Sequence, residues 1–216
     1  MKTYLLIMIA FCHTWTACGQ KESGSSPEGK IKVGGGCEGC EAIYESPVPF
    51  AELNWIDTLP DFNDPGPKLE LSGIVYKKDG KTPAAGVVIY IYHTDQKGVY
   101  PVKGNEKGWD KRHGYIRGWV KTNEKGQYRF YTLVPASYPN SNNPKHIHPV
   151  IKESDKNEYW IDEFLFADDP LLPEDERNKI RFRGGNGILT TVNDNGLMKA
   201  KRNIILGENI PGYPKE

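Results

Sequence analysis

The sequence lacks a net charge, and this absence narrows the functions open to it. Its 216 residues carry 28 Lys and Arg against 28 Asp and Glu. A nucleic-acid-binding domain normally carries a basic surface patch and a high isoelectric point, whereas an acidic solvating tail would shift the balance the other way. We therefore predict that the chain does not bind nucleic acid.

The sequence also lacks a hydrophobic run long enough to cross a bilayer. The apolar stretch at residues 5–11 falls well short of the roughly 20 residues that a transmembrane helix needs. Because a basic residue precedes it and small residues follow it, we predict that residues 1–17 form a signal peptide. Residues 15–18, Trp-Thr-Ala-Cys, resemble a bacterial lipobox with Trp where Leu is usual, which makes Cys18 the lipidated first residue of the mature chain. The alternative is a plain secreted protein in which Cys18 falls at this position by chance.

The composition after this signal sets the predicted domain boundaries. Residues 18–40, with many Gly and Ser, are predicted to form a flexible tether that includes a CxxC pair, and the Pro-rich residues 41–68 an irregular N-terminal arm. Residues 69–216 are predicted to form one folded domain. We expect this domain outside the cytoplasm, in the periplasm or at the outer-membrane face, held to the membrane only through the lipid on Cys18.

Cysteine is scarce, because the chain has only four. Cys12 belongs to the predicted signal peptide and Cys18 to its cleavage site. The remaining two, Cys37 and Cys40, have CxxC spacing. Outside the cytoplasm, such a pair is a local disulfide, half of a metal site or a thioredoxin-type redox motif. No second CxxC or nearby His completes a four-ligand metal site, and no βαβ pattern surrounds the pair. We favour the disulfide and keep the other two as alternatives.

The frequent turn residues, 23 Gly and 16 Pro, favour many short strands over long helices. We predict an all-β fold, an antiparallel β-sandwich with an irregular N-terminal arm and one short helix within residues 172–180. The strands are expected at residues 69–76, 87–93, 115–122, 127–134, 146–152, 159–166, 188–192 and 199–206. The third and fourth of these are expected to pair as a hairpin.

The richest chemical signal is the segment 138–148, which contains two histidines separated by one residue. In a strand, residues i and i+2 point to the same face, so His146 and His148 can present both imidazoles on one side. Such a pair is a common half of a metal site, although strand histidines also occur without a metal. Two tyrosines next to turns, Tyr100 and Tyr138, add phenol oxygens, and a phenolate is a hard anionic ligand suited to ferric iron.

Together these segments resemble the intradiol ring-cleavage dioxygenases, the non-haem ferric family that includes the catechol 1,2- and protocatechuate 3,4-dioxygenases. The resemblance covers roughly residues 69–170, and the similar segments follow in order at residues 71–75, 90–100, 117–118, 122–130, 135–139, 144–148 and 164–170. The chain lacks the helical N-terminal region through which the cytoplasmic catechol enzymes dimerise. It therefore looks closer to the secreted branch of the family, and its oligomeric state stays open.

The resemblance implies a ligand set for Fe(III). It makes Tyr138 and His148 the axial pair of ligands and Tyr100 and His146 the equatorial pair. It also gives Tyr138 a catalytic role, because in the family the axial tyrosine takes a proton from the bound catechol. The implied reaction cleaves the ring between its two hydroxyl-bearing carbons with O2 and gives a muconate-type diacid.

Two positions depart from the family pattern. Asn143 stands where the family usually has an Arg that stabilises charge on the bound substrate, and Glu163 stands near where a Gln is often found. Arg117, Arg112 or Lys111 is a candidate to supply the missing positive charge from another loop. We count Asn143 and Arg117 with Tyr138 as candidate catalytic residues.

These inferences give one leading function and two alternatives. The leading hypothesis is a lipid-anchored ferric dioxygenase that acts on a small aromatic diol and O2 in aromatic catabolism. The first alternative is a catalytically weak or inactive surface module that binds an aromatic or a glycan. It is supported by Asn143, which stands where the family usually has an Arg. The second alternative is a structural domain of transthyretin type. The presence of all four implied ligands, two tyrosines and two histidines, argues against it.

Overall fold

The chain folds as two packed β-sheets, as described by a computed structural model for residues 31–215. The predicted signal peptide at residues 1–17 and the lipidation residue Cys18 lie outside the described residues, so both stay predictions. Within residues 31–215, no helix is both long enough and apolar enough to span a membrane.

Within residues 31–215, twelve strands cover the β-branched and aromatic segments, which suit a pleated and largely buried surface. They are β1 Ile56–Thr58, β2 Lys68–Tyr76, β3 Val88–His93, β4 Arg117–Lys121, β5 Gln127–Leu133, β6 His146–Lys152, β7 Tyr159–Trp160, β8 Phe164–Phe166, β9 Ile188–Leu189, β10 Thr191–Asp194, β11 Leu197–Lys201 and β12 Ile204–Ile205. The first sheet has the order β1-β5-β2-β11-β10, with β12 also on β2. The second sheet has the order β4-β3-β6-β8-β9, with β7 also on β6.

The prediction of an all-β sandwich is confirmed, but the sheets are mixed rather than antiparallel. The strand β1 runs parallel to β5, and β11 and β12 run parallel to β2. In the second sheet, β9 runs parallel to β8. Side chains alternate between faces in the same way in parallel and antiparallel strands. The sequence pattern therefore does not distinguish the two arrangements.

The predicted hairpin between residues 115–122 and 127–134 was wrong. The two strands form, as β4 and β5, but β4 pairs with β3 in the second sheet while β5 pairs with β2 in the first. The turn between them therefore crosses from one sheet to the other. Turn residues at this point are compatible with either a hairpin or a crossover, so only packing decides between them.

Helices are short in this fold. The predicted helix within residues 172–180 corresponds to α2, Glu174–Arg177, and a second helix that we did not predict, α1, spans Asp110–His113. A 3₁₀ helix spans Cys40–Glu45. Each is only one or two turns long, which is too short for a helical apolar period to show in the sequence.

The central strands of the second sheet bury both faces. In β3, Ile89 and Ile91 belong to the main core, which contains side chains from both sheets. Val88 and Tyr90 point to the opposite, outer face and pack with Cys40 and Ile43 of the 3₁₀ helix. The outer face of this sheet is therefore covered by the N-terminal segment of the chain.

Part of the predicted tether and arm packs against the domain. Val33 and Cys40 are buried, and the Val33 backbone N–H and carbonyl both bond to the Asn157 side chain. The predicted tether at 18–40 therefore does not extend to residue 40, because packing begins by residue 33. Cys37 and Cys40 form a disulfide with their Cα atoms 5.7 Å apart. The predicted arm also contributes β1 to the first sheet.

Candidate metal centre

Four side chains converge on the outer face of the second sheet. His146 and His148 point to the same side of β6, and their Nε2 atoms lie 3.0 Å apart. Tyr100 follows the turn after β3 and Tyr138 precedes β6, and their hydroxyl groups are in contact. The Tyr100 oxygen lies 2.9 Å from His148 Nε2, and the Tyr138 oxygen lies 3.2 Å from Nε2 of each histidine. The structure thus brings together all four residues that we predicted as ligands.

Both imidazoles turn their Nδ1 atoms toward oxygen acceptors. His146 Nδ1 donates to the Pro144 carbonyl at 2.7 Å, and His148 Nδ1 lies 4.0 Å from Glu163 Oε1. A neutral imidazole carries a single N–H, so a proton on Nδ1 leaves a lone pair on Nε2. Two such lone pairs at 3.0 Å repel each other unless a cation or a hydroxyl proton of Tyr100 or Tyr138 lies nearby. This orientation is the one that metal-binding histidines adopt.

Burial shifts the pKa of three of these groups toward the neutral form. It lowers the pKa of His148 well below its usual range, and the neighbouring His146 lowers it further. Burial raises the pKa of Tyr100, and the contact with Tyr138 raises it again. Burial also raises the pKa of Tyr138, although the hydrogen bond from Tyr100 opposes that shift. A bound cation would reverse the shifts of the two phenols, because it stabilises a phenolate.

The donor set fits a small cation of high charge. Donor atoms about 2.1 Å from a common ion lie about 3.0 to 3.4 Å apart when the angle at the ion is about 90 to 110°. Four separations among the donors, three from phenol oxygen to imidazole nitrogen and one between the two imidazole nitrogens, are 2.9 to 3.2 Å and come close to this range, whereas the two phenol oxygens lie closer to each other. Phenol oxygen and imidazole nitrogen both suit iron. Over residues 31–215, no three His, Cys, Asp or Glu side chains cluster as an alternative site.

An aromatic stack supports one side of this donor set. The Tyr92 ring lies against the His148 ring, with centroids 4.6 Å apart and planes at 18°. The His113 ring lies against Tyr92, with centroids 3.7 Å apart and planes at 4°. His113 Nδ1 is 2.9 Å from the Tyr90 hydroxyl, and burial lowers the pKa of His113 to about 4. His113 is therefore neutral near pH 7 and adds no charge beside the donors.

The two other candidate catalytic residues lie apart from the four donors. The Arg117 guanidinium is 2.7 Å from Glu45 Oε2, in an ion pair with the 3₁₀ helix, and β3 separates the Arg117 strand from the strand of His148. Asn143 is exposed, and its backbone N–H donates to Ser141 Oγ at 3.0 Å. Neither position shows a direct contact with the donor set, so their catalytic roles stay predictions.

The sequence analysis missed Tyr92 and His113 as neighbours of the site. Tyr92 was recognisable, because it lies two residues beyond Tyr90 in β3 and pairs across the sheet with His148. Strand alternation therefore places it on the histidine face. His113 ends the short helix α1 in a loop, and no periodic pattern marks it.

Comparisons with known proteins agree with this fold and show the family of the chain. A family model described as Dioxygenase matches residues 51–183. Catechol 1,2-dioxygenase 1 from Acinetobacter lwoffii is 32% identical over 139 residues, which cover 56% of this chain and 42% of that protein. Catechol 1,2-dioxygenase from Acinetobacter baylyi is 28% identical over 137 residues, 54% of this chain and 42% of that protein. The chain thus spans less than half the length of these curated relatives.

Two solved structures share the fold. One is the dioxygenase domain of a dioxygenase–carbohydrate-binding protein fusion from Streptomyces sp. SirexAA-E, with a TM-score of 0.54 and 19% identity over 69% of this chain and 85% of that chain. The other is catechol 1,2-dioxygenase from Acinetobacter sp. ADP1, with a TM-score of 0.54 and 20% identity over 74% of this chain and 60% of that chain. At these identities the likeness shows the architecture alone.

Proposed function

The chain belongs to the intradiol ring-cleavage dioxygenase family, and from this premise we propose that it is a non-haem Fe(III) enzyme that cleaves a catechol-type ring. The bond that breaks joins the two hydroxyl-bearing carbons. Both atoms of O2 enter the product, a muconate-type diacid. The observation that carries the proposal is the convergence of two phenol oxygens in direct contact with each other and two imidazole Nε2 atoms, with four separations of 2.9 to 3.2 Å among these atoms.

Ferric iron, when bound, supplies the Lewis acidity that attracts both catechol oxygens and the electron chemistry with O2. The chain holds and orients the reactants. Tyr100, Tyr138, His146 and His148 would hold the ion, since their donor atoms face one another. The carbonyl of Pro144 fixes the ring of His146 through Nδ1, so its Nε2 points toward the other donors.

Tyr138 is the residue best placed to take a proton from the substrate. Its hydroxyl oxygen contacts Tyr100 and lies 3.2 Å from both histidine Nε2 atoms, so it is central to the donor set. Tyr138 Oη would therefore accept and hold the proton that a catechol hydroxyl group gives up.

The location of the enzyme is a further part of the proposal. A lipid on Cys18 would hold the protein to a bacterial membrane outside the cytoplasm, as the lipobox resemblance implies. The neutral composition of the chain gives the domain no strong electrostatic attraction to an anionic membrane surface. Attachment would then depend on the anchor alone.

The decisive experiment loads the purified protein with ferric iron and follows its visible spectrum and its oxygen uptake. We expect a charge-transfer band from the bound phenolates and O2 consumption with catechol, with the diacid identified by mass spectrometry. The variant His146→Ala should lose the band and the uptake. The variant Glu124→Gln, in an exposed turn, should keep both. Protein that stays colourless after iron loading would refute the metalloenzyme.

One observation favours a second candidate function. Asn143 is exposed and uncharged where the resemblance implies a cation that stabilises the bound substrate, and loss of such a partner is typically costly to catalysis. The chain would then be a surface module that binds an aromatic or a glycan. Iron-loaded protein that is coloured but consumes no O2 with catechol, protocatechuate or hydroxyquinol would support this binding module over the enzyme.

A further inference from the structure

The turn that leads to Tyr100 is hydrogen-bonded to the segment that leads to Tyr138. Thr94 Oγ1 donates to the Ala136 carbonyl at 2.6 Å, and the Ala136 backbone N–H donates to the Asp95 carbonyl at 3.3 Å. We call these two hydrogen bonds the turn clamp. The clamp joins the backbone that carries one phenol group of the donor set to the backbone that carries the other.

Gly98 lets the same two segments approach each other closely. Its φ is +74°, in the left-handed region that favours glycine. A Cβ added there would overlap the Ser137 carbonyl oxygen and would lie 3.1 Å from Pro139 Cδ. Since Ser137 and Pro139 are the chain neighbours of Tyr138, the backbone around Tyr138 lies directly against the turn. Backbone contact therefore limits how far the two segments can move toward each other.

A buried hydrogen-bond network fixes the clamp to both sheets. His93, the last residue of β3, is fully buried, and its Nε2 lies 2.7 Å from Thr132 Oγ1 in β5. Thr132 Oγ1 in turn donates to Asp61 Oδ1 at 2.8 Å. Because His93 directly precedes Thr94 in the chain, this network holds the backbone from which the Thr94 side chain reaches the opposite segment.

One other polar side chain also joins the two segments. Gln96 Nε2 donates to the Val134 carbonyl at 2.7 Å, but Gln96 is exposed, so water can replace this bond. Thr94 is only 3% exposed, and water cannot easily replace its hydroxyl group. A buried acceptor that loses its donor typically lowers the folding equilibrium constant by about fivefold or more. Thr94 is therefore the side chain on which the clamp depends most.

We propose, on the basis of the proposed function, that the turn clamp sets the separation of the Tyr100 and Tyr138 oxygens and that Thr94 is its positioning residue. The two oxygens are in direct contact, and the clamp joins their backbones just before each tyrosine. Hydrogen-bonded neighbours that orient metal ligands typically change metal affinity by about 10- to 100-fold when they are removed. Thr94 would act in this way on two ligands at once, without touching the ion.

The test compares Thr94→Val, which keeps the shape of the side chain without the hydroxyl group, with Thr94→Ser, which keeps the hydroxyl group. Thr122→Val is the matched control. Thr122 is also 3% exposed, and its Oγ1 donates to the Ala84 carbonyl at 2.7 Å. It lies beside the start of β3, where its backbone N–H donates to the Val87 carbonyl, whereas Thr94 follows the end of β3. The control therefore loses the same kind of buried hydrogen bond at the other end of the strand.

Three measurements are made on the wild-type full chain and on each variant. Urea unfolding of the metal-free protein gives the folding equilibrium constant. The visible band of the iron-loaded protein and its iron dissociation constant report on the two phenol groups as ligands. A crystal structure of the metal-free protein gives the separation of the Tyr100 and Tyr138 oxygens without any contribution from iron.

We expect Thr94→Val and Thr122→Val each to lower the folding equilibrium constant by about fivefold or more. Thr94→Val alone should also move the visible band, raise the iron dissociation constant by about tenfold and separate the two phenol oxygens in the metal-free crystal. Thr94→Ser should restore all three properties, because its hydroxyl group can donate to the same carbonyl.

A second pair of variants changes the clamp from the other side. Gly98→Ala forces the two segments apart, whereas Gly86→Ala, with a φ of +76° and no atom of the described residues within 4 Å of an added Cβ, adds backbone strain alone. We expect the visible band to move in Gly98→Ala and to stay in place in Gly86→Ala. An unmoved band in folded, iron-loaded Gly98→Ala would contradict the proposal.

The proposal would be overturned if Thr94→Val lost stability but kept the band, the iron affinity and the oxygen contact of the wild type. The ring contacts of Tyr100 with Tyr92 and of Tyr138 with His146 would then be what positions the two phenol groups. Equal changes of the band in Thr122→Val would also overturn it, because the effect would follow stability and not position. A wild-type protein that binds no iron would instead refute the proposed function, and the oxygen separations in the metal-free crystals would still decide the role of Thr94.

Discussion

Gly39 provides a sharp test of how the disulfide loop supports the candidate metal centre. It begins the 3₁₀ helix with a φ of 82°. A Cβ at this position would lie 2.8 Å from His113 Nε2 and 3.3 Å from Trp109 Cζ3. Gly35 is a matched control in the same segment, because its φ is +70° but a Cβ added there would have nothing within 4 Å. Gly35→Ala therefore adds backbone strain alone, whereas Gly39→Ala adds strain and a steric clash.

The expected magnitudes follow from these two contributions. A left-handed conformation costs a residue with a Cβ about 1 kcal/mol, and both variants bear this cost. Overpacking a buried site costs a further 1 to 3 kcal/mol or so, and only Gly39→Ala bears it. We expect the free energy of unfolding to fall by about 1 kcal/mol in Gly35→Ala and by about 2 to 4 kcal/mol in Gly39→Ala.

Urea unfolding of the metal-free protein, followed by tryptophan fluorescence, measures these losses. The visible band of the iron-loaded variants measures the effect on the site, because His113 stacks on Tyr92, which in turn stacks on His148. The band should shift in Gly39→Ala and stay in place in Gly35→Ala. Equal losses of stability in the two variants, within about 0.5 kcal/mol, would refute the packing of Gly39 against His113.

Three further outcomes are expected. Replacing Cys37 and Cys40 together by Ser should lower the free energy of unfolding by about 2 kcal/mol, because so short a closed loop restricts the unfolded chain by about that amount; an unchanged urea midpoint would contradict this. Tyr138→Phe should weaken or move the visible band of the iron-loaded protein, whereas Tyr76→Phe in the first sheet should not, and identical spectra would remove Tyr138 from the ligand set. Cys18→Ser should move the protein from the membrane fraction to the soluble fraction, and persistent membrane association would exclude the lipid anchor.

The donor set was predicted from strand alternation for the two histidines and from the family resemblance for the set of four. His146 and His148 occupy alternate positions of one strand, and alternation alone places both on one face. Tyr100 and Tyr138 flank turns next to the strands that pair side by side as β3 and β6. Strand alternation therefore accounts for the two histidines alone. The meeting of the histidines with Tyr100 depends on the pairing of β3 with β6, two strands far apart in the sequence.

The relations that the sequence did not reveal all depend on packing between distant segments. The strands β4 and β5 enter different sheets because each finds its partner across the sandwich, in β3 and β2. Arg117 is a candidate substrate contact by its place in the sequence, but Glu45, far away along the chain, holds its guanidinium at 2.7 Å. No periodic pattern encodes which acidic residue a given arginine meets. Tertiary contacts decide it.

On the outer face of the second sheet, the strands and the disulfide loop that packs over them have different roles. The four donors depend on the backbone of β3 and β6 and on the turns beside them, whereas a small cavity next to His148 also depends on residues 36–39 of the disulfide loop. These loop residues precede the region that the family model matches. Changes confined to the loop can therefore reshape the cavity without moving the strands that carry the histidines. It follows that loop variants should leave the visible band of the iron-loaded protein unchanged, unless, as at Gly39, they press on the aromatic stack.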